Sequence, residues 1–188
     1  ALTGNVSLNG QDIRGKSIGS VRALSMGYIP PERMSTGIAP ESSITENMSS
    51  VAYRSKDYHN GPLVNWKELA GLARQGIKDF NVVTASEKTA LRMLSGGNIQ
   101  KVVVARELFG DPKVIIAEQP TRGIDVGAAN LIHKKLVELR DEGSAVLLVS
   151  SDLGEVLSLS DSVAVMYDGR ITAYFPQAKD LQESELGF

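Results

Sequence analysis

No cysteine occurs anywhere in the chain, which excludes a disulfide framework and a thiolate metal site. Histidine is almost as scarce, with only His59 and His133. They stand far apart and lack the short spacing of a metal-binding pair, so both read as surface or packing residues. Apolar runs are short, Ala145–Val149 and Val163–Tyr167 being among the longest, and none approaches the roughly twenty apolar residues of a membrane-spanning helix. The first residues show no signal-peptide pattern, so any membrane role is expected to come through a partner. Nor is there excess basic charge. Lys and Arg number 20 against 22 Asp and Glu, a formal net charge of −2, which leaves no basic surface for nucleic acid. What remains is 188 residues, 42% of them hydrophobic: one domain's worth, with room for a subdomain.

The pattern along the chain changes twice. Asn5–Gly10 alternates and ends in Asn9-Gly10, a strand and a turn. Met26–Ile29 is a short strand closed by Pro30-Pro31. From Ile38 to about Leu94 the texture is helical, clearest from Trp66 to Phe80 with Leu69, Leu72, Ile77 and Phe80 at helical spacing. Beyond that, Ser95-Gly96-Gly97 opens a helix to Phe109, stopped by Gly110 and Pro112. Val114–Ala117 is expected to be a strand buried on both faces, and so is Ala145–Val149. A helix over Val126–Arg140 lies between them. Asp152–Leu159 reads as a short helix, and Ser162–Met166 with Arg170–Phe175 as a hairpin around Asp168-Gly169. Strand–helix–strand with continuous apolar strands implies a parallel α/β core. The tail from Pro176 is polar and acidic (Asp180, Glu183, Glu185), either a surface helix or a disordered end. The expected division is 1–37, a β portion with the loop after Met26–Ile29; 38–93, a mainly helical subdomain; 94–175, the α/β core; and 176–188, the tail.

The chemistry gathers around Leu94-Ser95-Gly96-Gly97-Asn98-Ile99-Gln100. Two glycines let backbone N–H groups approach a phosphate, and the helix they open aims its positive end at that anion. Alone, Ser-Gly-Gly reads equally as a plain loop before a helix; the downstream segments change that. Glu118-Gln119 and Ser150-Ser151 both follow apolar strands, at the rim where open α/β sheets bind ligands.

Taken together these segments resemble the ATP-binding cassette family. Leu94–Gln100 resembles its signature motif. Val114–Ala117 with Glu118-Gln119-Pro120-Thr121 resembles the Walker B segment, Arg122-Gly123-Ile124-Asp125 the D-loop, and Val149-Ser150-Ser151-Asp152 the switch segment. All four stand in family order and spacing. The wording around Gln119–Ala128 is most similar to the second cassette of two-cassette sugar and nucleoside importers. The resemblance implies a P-loop NTPase-like parallel sheet with a helical subdomain and an antiparallel β portion. It also implies ATP with Mg²⁺, the signature residues Leu94, Ser95, Gly96, Gly97, Asn98 and Gln100 contacting ATP held by a partner, and Asp125 acting from the D-loop. Glu118 stands where the family holds Mg²⁺, through water in this case. Gln119 replaces the family's catalytic glutamate and has no carboxylate to accept a proton. Ser151 replaces the switch histidine. In the loop after Met26–Ile29, Pro31 falls near the family's Mg²⁺-contacting glutamine. Glu32 is a weak substitute, and a plain proline turn reads equally well there.

Gly10–Ser17 matches G-x-x-x-x-G-K-[ST] letter for letter. A working phosphate loop follows a buried strand and opens an apolar helix. Val6-Ser7-Leu8 is instead a weak alternating strand, and Ile18–Arg22 has no strong apolar stripe. The match is therefore expected to be a decoy, with the phosphate loop outside this chain. Ala1–Gly4 resembles the end of the helix that would follow that loop, and the family usually has a few more residues between positions like Gly4 and Asn5. Partners implied are a second cassette, transmembrane permease subunits and, indirectly, an extracytoplasmic solute-binding protein, at the cytoplasmic face of the plasma membrane. The alternatives are a non-catalytic cassette module that holds partners and a self-sufficient ATPase using Gly10–Ser17 and Lys16.

Overall fold

A computed structural model describes residues 3–53, 55–60, 62–179 and 181–182. Ala1, Leu2 and the tail carboxylates Asp180, Glu183 and Glu185 lie outside them. Strands β1 (Ser7–Leu8) and β2 (Gln11–Asp12) pair antiparallel. Asn9 and Gly10 between them both take positive φ, 49° and 76°. That is the two-residue turn whose twist suits a hairpin. Ser17 caps the short helix α1 (Ile18–Arg22), accepting from Ser20 N. The letters of the phosphate-loop pattern are therefore spread over a hairpin turn, a strand and a cap. They do not form a loop between a buried strand and a helix.

Strand β3 (Met26–Ile29) enters the centre of the molecule and is followed by one wide turn, Arg33–Gly37, with π-type bonding. Helix α2 (Ile44–Ala52) opens on a capping box: Ser43 accepts from Glu46 N, and Glu46 accepts from the Ser43 backbone. These bonds hold the Glu46 carboxyl below its ordinary range. The small strands β4 (His59–Asn60) and β5 (Leu63–Val64) lead to helix α3 (Trp66–Asp79), which buries Leu69, Ala73 and Gly76.

Helix α4 (Gly96–Leu108) is buried around most of its circumference, as expected of a helix with few polar faces between layers. Val102, Val103 and Ala105 pack with Ile44 and Met48 of α2, Ala73 of α3, and Ile29, Ile115 and Ala117 of the sheet. Strands β6 (Val114–Glu118) and β7 (Ala145–Val149) flank helix α5 (Val126–Asp141) in sequence. The central sheet is parallel, in the order β3-β6-β7, with Glu118 beside Val149. Helix α6 (Leu153–Leu159) precedes the antiparallel pair β8 (Val163–Tyr167) and β9 (Arg170–Phe175), which packs over a second small core around Val163 and Ala178.

One expectation is corrected. β7 is not buried on both faces. It lies at the sheet edge, and only Val146 and Leu148 pack inward, while Leu147 is 55% exposed and Val149 45%. Continuous apolarity marks two faces that need cover, but no described segment covers the second. Among the described residues no helix is long and apolar enough to cross a membrane.

Candidate functional site

Two groups of side chains meet at the C-terminal rim of the sheet. The first joins β3, β6 and β7. Glu118 ends β6, and its Oε2 accepts from Tyr28 Oη at 2.8 Å. Tyr28 lies on the neighbouring strand, opposite Ile116, so the two side chains share a face. Burial first, and the Glu118 hydrogen bond next, push the Tyr28 phenol above its ordinary range. Gln119 follows with φ +47°, a left-handed conformation that few non-glycine residues adopt. Its N–H donates to Val149 O at 2.8 Å, which fixes the turn across the two strand ends. Its Nε2 donates to Ser151 Oγ at 3.1 Å, and that Oγ lies 3.3 Å from Oε1. A carboxamide and a hydroxyl thus face each other, and neither takes a proton near neutral pH.

The second group surrounds the start of α4. Ser95 is exposed and caps the helix, accepting from Asn98 N at 3.4 Å and Asn98 Nδ2 at 3.0 Å. Asn98 Oδ1 in turn accepts from Val83 N. Leu94 packs against the main core. Asp125 caps α5, accepting from Ala128 N at 2.9 Å. Its other oxygen lies over Gly97, where an added Cβ would stand 2.5 Å from Oδ2. Glycine is therefore favoured at 97, and Arg122–Asp125 lies against the first residues of α4. Gln100 has a different place from the one expected. It is buried, and its Nε2 donates to Pro120 O at 2.7 Å, tying α4 to the segment after β6. Glu32 pairs at 3.4 Å with Arg122 on the surface. No group of three or more carboxylate or imidazole side chains suited to a metal comes together among the described residues.

Sequence reasoning missed the groups that hold these two clusters. Glu155 is buried, and its Oε1 accepts from Thr121 Oγ1 at 2.7 Å and meets His133 Nε2 at 2.8 Å. Asp152 caps Glu155's helix three residues earlier, an Asp-x-x-Glu pattern that was available as a signal. Arg33 donates to Arg122 O and Gly123 O, 89 and 90 residues away, with no local signal at all.

Residues 1–122 match the family model described as "ABC transporter". The chain belongs to the ABC transporter family. This ABC transporter chain is 40% identical over 185 residues to the guanosine import ATP-binding protein NupO of Bacillus subtilis (strain 168), covering 98% of this chain and 36% of that protein. It is 37% identical over 169 residues to the nucleoside import ATP-binding protein NupA of Lactococcus lactis subsp. cremoris (strain MG1363), covering 90% and 33%. The chain thus spans about a third of the length of these curated relatives. Its fold matches the dimeric post-hydrolysis state of the ATP-binding cassette MJ0796 bound to ADP and Pi, with a TM-score of 0.77 at 19% identity, over 93% of this chain and 74% of that one. The parallel core, the helical segment and the antiparallel strands are those of an ABC cassette.

Proposed function

We propose that this chain is the nucleotide-binding part of an import transporter for a sugar or nucleoside, and that it completes an ATP site held mainly by a partner cassette. The observation that carries this reading is the start of α4. Ser95 is exposed and Gly96 partly so, and no acceptor among the described residues takes the Gly96 N–H, while Gly97 is buried beside Asp125. Amides at a helix N-terminus beside an exposed hydroxyl suit a phosphate held from outside. The relatives' names, guanosine import and nucleoside import, supply the solute class.

The chain's own site is proposed to bind nucleotide without hydrolysing it efficiently. Gln119 orients a water through its carboxamide but accepts no proton from it, and Ser151 holds that carboxamide in place. Glu118 would meet Mg²⁺ as a single carboxylate, through water as the resemblance implies, with Oε1 facing it because Tyr28 engages Oε2. Mg²⁺, when bound, neutralises charge on phosphate oxygens, which with water supply the rest of its coordination. The phosphate-binding loop is proposed to lie upstream in the whole protein, with its strand against the free edge of β7.

Permease subunits are proposed to dock between the helical segment and the turn after β3, where two adjoining clefts of about 340 and 370 Å³ share Arg22, Val51 and Arg106. The protein is proposed to work at the cytoplasmic face of the plasma membrane, in indirect contact with a solute-binding protein. The test is Ser95→Arg in the intact two-cassette subunit with its permease. Bulk and charge at Ser95 block phosphate from the amides, and ATPase kcat is expected to fall about tenfold or more. Wild-type turnover would remove the signature helix from the active site and favour a module that only holds partners.

A further inference from the structure

Arg33 serves three segments with one guanidinium. It opens the wide turn Arg33–Gly37. Its Nη1 donates to Arg122 O at 2.8 Å and its Nη2 to Gly123 O at 3.1 Å. The same Nη2 packs against Gly96, where an added Cβ would stand 3.0 Å from it and push the guanidinium aside by a few tenths of an ångström. Nε is buried without a hydrogen-bond partner. A cation beside a helix N-terminus gains nothing from the helix dipole. Nor does a carboxylate offset it: the adjacent Glu32 pairs with Arg122 instead. What the arrangement does provide is geometry, because the rigid planar fork of arginine spans two successive carbonyls as no other side chain does.

The opposite end of the same turn is also held by an arginine. Gly37 O accepts from Arg106 Nη1 at 2.8 Å, and Arg106 Nε donates to the buried Glu107 at 2.9 Å. Thr36 Oγ1 closes the turn on Glu32 O at 2.7 Å. Thr36 and Gly37 line the 370 Å³ cleft. The turn therefore has one face on that cleft and one end on the D-loop.

We infer that Arg33 is a positioning residue: it locks Arg122–Asp125 and the first residues of the signature helix into one surface, and it makes that surface follow the turn Arg33–Gly37. The inference rests on the reading that this surface completes a partner's ATP site. Pressure on the cleft face of the turn then reaches the first residues of α4 through Arg33, alongside the Arg106 contact further along the same helix.

The experiment uses the intact two-cassette subunit with its permease in liposomes, comparing Arg33→Lys, Arg33→Met and Gly96→Ala with wild type. Lysine keeps the charge and loses the fork. Both Arg33 variants are expected to lower ATPase kcat about tenfold while KM for ATP changes less than about twofold, a split that marks lost positioning rather than lost ground-state binding. Transport is expected to fall further than ATPase. Gly96→Ala, whose methyl displaces Nη2, is expected to lower kcat on its own and to add nothing in the Arg33→Met background. Thermal midpoints of all variants report that the fold is intact, and Arg33→Lys remains the test if Arg33→Met does not fold. Wild-type kcat in Arg33→Lys or in folded Arg33→Met, or multiplied losses in the double variant, overturns the role of Arg33. If those results come with a Ser95→Arg variant that is inactive, the functional reading survives and this inference alone fails. Wild-type activity in Ser95→Arg as well overturns both.

Discussion

At the scale of single residues, the proposed lack of efficient hydrolysis rests on Gln119 and Ser151 standing where the resemblance implies a carboxylate and an imidazole. They hold each other at 3.1 Å. The backbone hydrogen bond from Gln119 to Val149 offsets a left-handed conformation that costs about 1–2 kcal/mol for an L-residue. The site is thus built with care around groups that do not accept protons. Gln119→Glu restores only one of them, next to a hydroxyl instead of a histidine. That variant of the 188-residue chain is expected to show no ATP turnover above wild type in a phosphate-release assay. Turnover in Gln119→Glu that disappears when Lys16→Ala is added would instead give Gly10–Ser17 a role in phosphate binding. These positions were legible in sequence because each is adjacent to an apolar strand. Arg33 and the buried role of Gln100 were not legible, because their partners lie 20 to 90 residues away and no local pattern records them, while Glu155 left only its Asp152-x-x-Glu cap as a trace.

At the scale of elements, periodicity located β3, α3, α4, β6 and α5 closely, since each carries a dense apolar stripe or run. It gave α2 no bounds within the segment read as helical, because Ile44 and Met48 are separated by Thr, Glu and Asn, although the capping box Ser43-x-x-Glu46 marks its start. What periodicity cannot show is how these elements are bolted together. Glu107, fully buried on α4, is the main bolt. It accepts from Arg22 of α1 at 2.8 Å, from Arg106 at 2.9 Å and from Tyr28 N of β3 at 3.1 Å. Its own carbonyl lies so close to β3 that a Cβ at Gly27 would stand 2.9 Å away. Removing Glu107 leaves the buried Arg106 and the Tyr28 N–H without this partner, while the partly exposed Arg22 keeps water, so Glu107→Ala is expected to cost about 3 kcal/mol in chemical denaturation. A loss under about 1 kcal/mol would mean that Arg22 and Arg106 find solvent and that α1, β3 and α4 are held by apolar contact alone.

At the scale of the whole molecule, β7 shows what composition hides. Its five apolar residues announce two buried faces, yet the described residues cover one. Leu147 and Val149 stand exposed beside an unpaired strand edge, a surface that proteins ordinarily cover or charge. The relatives are about three times as long, so cover from elsewhere in the whole protein is available. If the proposed upstream strand and helix occupy that face, the same substitution must have two different costs. Leu147→Lys in the 188-residue chain changes an already exposed position and is expected to shift stability by no more than about 0.5 kcal/mol. In the full two-cassette subunit it forfeits a buried leucine, worth about 1.5–3 kcal/mol, and buries part of a charge besides. Parallel urea titrations of both proteins, with hydrogen exchange at the β7 amides, measure the difference. Equal small shifts, with β7 amides equally open in both, would leave this face bare in the whole protein. The phosphate loop would then have to be sought against another strand.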